Sequence, residues 1–182
     1  MIVFAQNTSG LHSLYIGSSL RMTRGVDALQ WRELIAVAEG LIATDNPSDA
    51  ALRRGRSTVY YALFHHLART CADLLIGSDA TTTSKPAWQQ TYRGLEHKAT
   101  KAACDDNALR KFPDPIQDYG DQFKALQAKR HLADYDPYVQ VARSEIQQDI
   151  ETMKTAIDAF DAADEKDRRA FCAFVLLKRR KD

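Results

Sequence analysis

The chain has 182 residues, 45% of them hydrophobic and 27% charged, with a formal net charge of +1. That length suits one domain with a real core, and the near-neutral balance excludes a global basic field, so any nucleic-acid binding would need a local patch. No apolar run approaches the length of a bilayer-spanning helix, and Cys71, Cys104 and Cys172 lack metal spacing, so they read as reduced thiols of a cytoplasmic protein.

Residues 1–21 carry no helical periodicity, no basic n-region and no continuous apolar h-region. They read as an extension outside the core: a disordered segment, a short strand or an upstream start. Residues 22–182 read as one domain.

Six segments then read as helices. The first, 26–43, repeats Leu29, Leu34, Ile35, Ala38, Leu41 and Ile42 at helical spacing. Asn46-Pro47-Ser48 stops it, and Ser48 caps the next. The second, 48–76, is the longest and ends at Gly77. Its middle, "STVYYALFHHLARTCADLLIG", is apolar or aromatic on nearly every side, as expected of the central helix of a bundle. A third, 85–98, carries Trp88, Tyr92 and Leu95 and has Ser84 as cap. Residues 99–112 are ambiguous. Asp114 as cap and Pro115 at the first position open a fourth, running to about residue 131. Asp136-Pro137 follows, and a residue before proline leaves the helical region. The fifth spans 143–162. The sixth, 165–177, has Asp164 as cap and the cationic tail "KRRKD", either a phosphate contact or a solvated helix end. The fold class is therefore all-α: an antiparallel bundle of five to six helices around a long central one.

Several chemistries find no motif. His65 and His66 are adjacent, so on a helix they point about 100° apart and cannot share one ion. No HExxH or CxxC occurs, and neither a metal nor a cofactor is expected. The glycines are isolated, which excludes a P-loop or dinucleotide fingerprint, and no GxSxG elbow is present. Arg93 and His97 share a face beside Glu96 and read as a surface pair.

The run "KRHLADYDP" is denser in chemistry. If the fourth helix continues to Asp134, Arg130 and Asp134 are i, i+4 partners, with His131 and Tyr135 as a second such pair beside them. The central helix offers Arg56, Tyr60, Tyr61 and His65 or His66 from across the bundle. Guanidinium, imidazole, phenols and carboxylate together suit a phosphate-bearing ligand, because arginine donates bidentately to phosphate and aromatic rings stack bases. The competing reading is a structural Arg130–Asp134 pair, with Tyr135 filling the bundle end.

The pairing of "RSTVYYALFHHLARTCADLL" with the later "KRHLADYDP" resembles the HEPN superfamily (higher eukaryotes and prokaryotes nucleotide-binding), in its stand-alone bacterial branch, over residues 26–162. The resemblance implies a helical bundle, a homodimer that brings two late motifs together, and RNA or nucleotide binding. It also implies a nucleotidyltransferase antitoxin as a partner. Many such proteins are metal-independent ribonucleases, using an Arg, a polar residue and a His four to six residues beyond the Arg. Arg130 and the polar His131 match that motif. The catalytic histidine position holds Tyr135, followed by Asp136 and Pro137. A phenol with a pKa near ~10 is a weak base at neutral pH. The resemblance therefore implies catalytic roles for Arg130, His131 and Tyr135 only with the motif degenerate. The ligand-binding set is Arg56, Tyr60, Tyr61, His65, Arg130 and Asp134. The alternatives are an active ribonuclease toxin, with His131 or a central-helix histidine as base, and a dimerising helical protein without a ligand.

Overall fold

The computed structural model describes residues 30–79 and 81–177. Among them the protein is all-helical, with seven α-helices and no strand. These are α1 (Trp31–Ile42), α2 (Asp49–Ile76), α3 (Lys85–Gly94), α4 (His97–Asp105), α5 (Asp114–Tyr135), α6 (Arg143–Ala162) and α7 (Glu165–Leu176), with a 3-10 turn at Asn107–Lys111 between α4 and α5. The proposed extension 1–21, the first residues of the expected first helix and the cationic tail 178–182 lie outside the described residues.

α2 is the axis. Its 28 residues span about 42 Å, and it packs against α1, α3, α5, α6 and α7. Val59, Tyr60, Leu63, Leu67 and Cys71 of α2 have no exposed surface, and they meet Ile35 and Ala38 of α1, Phe123 of α5, Ile150 and Ile157 of α6 and Phe171 of α7 in one core. Burying each large apolar side chain contributes on the order of 2 kcal/mol. A helix so enclosed needs only a narrow polar strip, which is why the middle of its sequence is apolar or aromatic on nearly every side.

The local signals act at both ends of α2. Ser48 Oγ accepts the Ala51 N–H at 3.2 Å, satisfying one donor the helix start leaves open. Gly77 ends the helix at φ 120°, a conformation that side-chain-bearing residues rarely adopt.

Three expectations are corrected. The third helix does not run through 98: it ends at Gly94, and Leu95 and Glu96 turn extended before α4 begins at His97. The ambiguous stretch 99–112 is most of α4 plus the 3-10 turn. The helix expected to stop near 131 continues to Tyr135, and it starts with Pro113 at the cap and Asp114 as its first residue. Asp114 is thus not the cap. Ser84 and Asp164 do hold cap positions, but their side chains make no capping hydrogen bond.

Candidate functional site

The site grows out of the last turn of α5, and Arg53 of α2 builds the ground under it. Its Nη1 donates to the carbonyls of Ala133 (3.3 Å) and Asp136 (2.6 Å), and its Nη2 to those of Pro137 (3.2 Å) and Val139 (2.6 Å). Asp49, one turn earlier, holds the Arg53 Nε at 2.7 Å. A helix C-terminus leaves carbonyls without partners. Here one guanidinium satisfies carbonyls of the last turn and of the loop beyond it.

On that turn Asp134 Oδ2 lies 2.6 Å from Arg130 Nε. The oxygen sits off the N–H direction, so the contact is an ion pair more than a directed hydrogen bond. Ser57 of α2 donates to the other Asp134 oxygen, which fixes the carboxylate from across the interface. Arg130 Nη2 donates to Tyr61 Oη at 3.1 Å. The guanidinium carbon lies 5.4 Å from the Tyr61 ring centroid and 5.7 Å from that of Tyr135, both within cation–π range. Nη1 has no hydrogen-bond partner among the described residues, and the side chain is 18% exposed. Burial opposes the Arg130 charge, but Tyr61, Asp134 and Tyr135 outweigh it and move its pKa up.

Four residues of the sequence-derived set therefore meet: Tyr61, Arg130, Asp134 and Tyr135. The others go elsewhere. Arg56 faces α6, with Nη2 2.7 Å from Glu145 Oε2 and Nε 4.0 Å from the buried Asp149, which also pairs with Lys129. It is a tie between helices and is not brought to Arg130. Tyr60 lies beneath the site with no exposed surface, and burial pushes its hydroxyl pKa up. His65 shares a 2.6 Å hydrogen bond with Tyr92 Oη. His66 is a core histidine, its Nδ1 3.0 Å from Tyr119 Oη and its Nε2 3.2 Å from Asp161. His131 is exposed, and its ring meets Tyr135 at 4.9 Å.

Two residues of the site escaped the sequence reading. Ser57 is one. His97, read as a surface residue, is the other. The break after Gly94 makes it the first residue of α4, and Gln127 of α5 holds its carbonyl at 3.1 Å. Its Nδ1 lies 2.6 Å from Tyr60 Oη, and its ring stands edge-on to Tyr61 at 6.0 Å. His97 and Arg130 thus both contact Tyr61. Burial first, then the Arg130 and His65 charges, lower the His97 pKa, so its imidazole is neutral at pH 7. The signal within reach was Gly94, a helix stop three residues before His97.

No group of three or more potential metal ligands converges among the described residues. Two clefts of about 380 and 360 Å³ between α1 and α6 share Glu39. Lys154 bridges Glu39 and Glu151 there, at 3.1 and 3.2 Å, while Arg143 donates to the Thr44 carbonyl at 2.9 Å and Arg32 lies over the Trp31 ring. No protein-family model, curated protein or solved structure matches this chain.

Proposed function

We propose that this protein is a HEPN-like helical module that binds RNA or a nucleotide at Arg130. The observation that carries the reading is the uncommitted Nη1 of a charged guanidinium set between two phenol rings, Tyr61 and Tyr135. A phosphate oxygen can take Nη1 and displace Asp134 in part, while a base lies against the Tyr135 ring, which is 65% exposed. Ser57 donates to the other Asp134 oxygen and holds the carboxylate beside Arg130.

Leu132 and Tyr138 leave apolar surface on this same turn and the loop after it, 45% and 90% exposed. A second copy of the chain is the occupant this reading favours, which would set two Arg130 sites near each other. A nucleotidyltransferase antitoxin is the other partner the resemblance implies.

The test is fluorescence anisotropy with a labelled RNA oligonucleotide, with nucleoside monophosphates as competitors. Arg130→Gln should weaken binding about tenfold or more, the range for losing a charge-assisted contact. Unchanged affinity in that variant removes the reading.

A ribonuclease remains the second reading, and His97 favours it. A neutral imidazole flanking the same tyrosine as Arg130 is a more suitable base than Tyr135, and it does not require His131. Incubation with RNA in EDTA decides between the two. Cleavage that disappears in both Arg130→Gln and His97→Gln makes the protein an enzyme, whereas intact RNA leaves it a binding module.

A further inference from the structure

We infer that His97 is a second ligand-binding residue of the Arg130 site, a hydrogen-bond donor whose proton the Tyr60 hydroxyl fixes on Nε2. The inference rests on the nucleotide-binding reading above and adds a group to that same site.

Gln127 and Arg130 are three residues apart and share a face of α5. Gln127 holds the His97 carbonyl, and Arg130 holds the Tyr61 hydroxyl. α2 closes the other side: the His97 ring packs on Phe64 at 4.0 Å and stands edge-on to Tyr61. His97 therefore sits in the notch between α2 and α5, with its anchor about 4.5 Å along α5 from Arg130.

A count of protons decides which ring nitrogen of His97 is the donor. Tyr60 has no exposed surface, and its hydroxyl makes one hydrogen bond among the described residues, to His97 Nδ1 at 2.6 Å. Burial pushes the Tyr60 pKa up, so the hydroxyl keeps its hydrogen. A buried hydroxyl hydrogen without an acceptor is costly. Nδ1 must therefore accept, and a neutral imidazole whose Nδ1 accepts carries its own hydrogen on Nε2. Nε2 has no hydrogen-bond partner among the described residues, and it reaches solvent.

Arg130 Nη1 and His97 Nε2–H are thus two open donors beside one tyrosine. With a phosphate oxygen on Nη1, His97 donates to another acceptor oxygen of the same nucleotide. The proton count also sets a condition on a ribonuclease. Nε2 can accept a proton only after its own hydrogen moves to Nδ1, and that move leaves the Tyr60 hydroxyl without an acceptor. Tyr60 is in this sense a positioning residue, acting on the ligand through His97.

Nitrogen-15 spectra of the histidine rings in the full chain read the tautomer directly. At about pH 7.5 His97 should carry hydrogen on Nε2 and none on Nδ1. Tyr60→Phe should move the ring toward a mixture of the two tautomers. A short oligouridylate should shift the His97 Nε2 signal more than that of the buried His66. In a binding titration His97→Phe should weaken the oligouridylate about fivefold, the range for losing one neutral hydrogen bond, and His97→Gln, which keeps an N–H of similar reach, should recover most of that loss. Melting temperatures establish that the variants are folded. Hydrogen on Nδ1 in the wild type, an unchanged tautomer in Tyr60→Phe, an unmoved Nε2 signal at saturation, or wild-type affinity in His97→Phe overturns the inference. If binding is still weakened in Arg130→Gln, the Arg130 site stands without His97. No binding by the wild-type protein overturns both.

Discussion

Two arginines packed at the end of α5 do different jobs, and their partners decide which. Arg53 meets only backbone carbonyls and its own Asp49, so it is structural. Replacing it with alanine removes charge-assisted bonds to four carbonyls, and we expect a loss of about 2–3 kcal/mol in urea unfolding. The exposed neighbour Arg54 should cost no more than about 0.5 kcal/mol when changed to alanine. Equal effects at the two positions would contradict the assignment. Arg130 differs because one of its donors is uncommitted, and that donor is the basis of the binding proposal.

His97 and His65 supply a pH signature at the same scale. Burial is the first cause of the lowered pKa of each, and for His97 the Arg130 and His65 charges add to it. A histidine whose folded pKa is depressed contributes fully above its unfolded value near 6.5 and loses that contribution as pH falls through the folded value. Melting temperature should therefore hold steady from pH 8 to 7 and begin to drop below about pH 6.5. His97→Gln should make that first drop shallower. Glu145 adds a later step below the ordinary carboxylate range, because the Ala142 backbone N–H and Arg56 lower its pKa. A profile that improves on acidification to pH 5.5 would contradict these directions.

Helices were legible where one helix carries its own signals. The apolar surround of α2, the Ser48 cap and the Gly77 stop are all local, and Arg130 with Asp134 follows from i, i+4 spacing once α5 is allowed its last turn. Contacts between helices leave no such trace. Ser57 and Asp134 are 77 residues apart and Arg53 and Val139 are 86 apart, so nothing in the sequence pattern near either residue predicts its partner. The α3–α4 break was missed because Leu95 and Glu96 are ordinary helix formers, and only Gly94 marks it. The Arg56–Glu145–Asp149–Lys129 network joins α2, α5 and α6 in the same non-local way. Asp149 is 2% exposed, and Asp149→Leu strips Lys129 of its partner and leaves Arg56 with Glu145 alone. A loss of about 1–2 kcal/mol is expected in denaturant unfolding, because Lys129 is 43% exposed and regains water when the pair breaks. A stable Asp149→Leu variant would mean that the network is dispensable.

For the molecule as a whole, the bundle is closed by α2 at its centre, and no described helix is long and apolar enough to cross a membrane. Its net charge of +1 offers no long-range attraction for RNA, so the proposed binding rests on the local arrangement of Arg130 and its rings. The proposed self-association through Leu132 and Tyr138 belongs at this scale. Leu132→Asp should shift sedimentation from dimer toward monomer without lowering the melting temperature of the monomer, because Leu132 is 45% exposed within one chain. A wild-type protein that sediments as a monomer at every concentration would remove the dimer.

The most direct measurement is a crystal structure of the protein soaked with a short oligouridylate. A phosphate oxygen within hydrogen-bonding distance of Arg130 Nη1, with a base against Tyr61 or Tyr135, is the predicted result. A ligand bound elsewhere, with the Arg130–Asp134 pair undisturbed, would contradict the assignment and leave Arg130 as part of the scaffold.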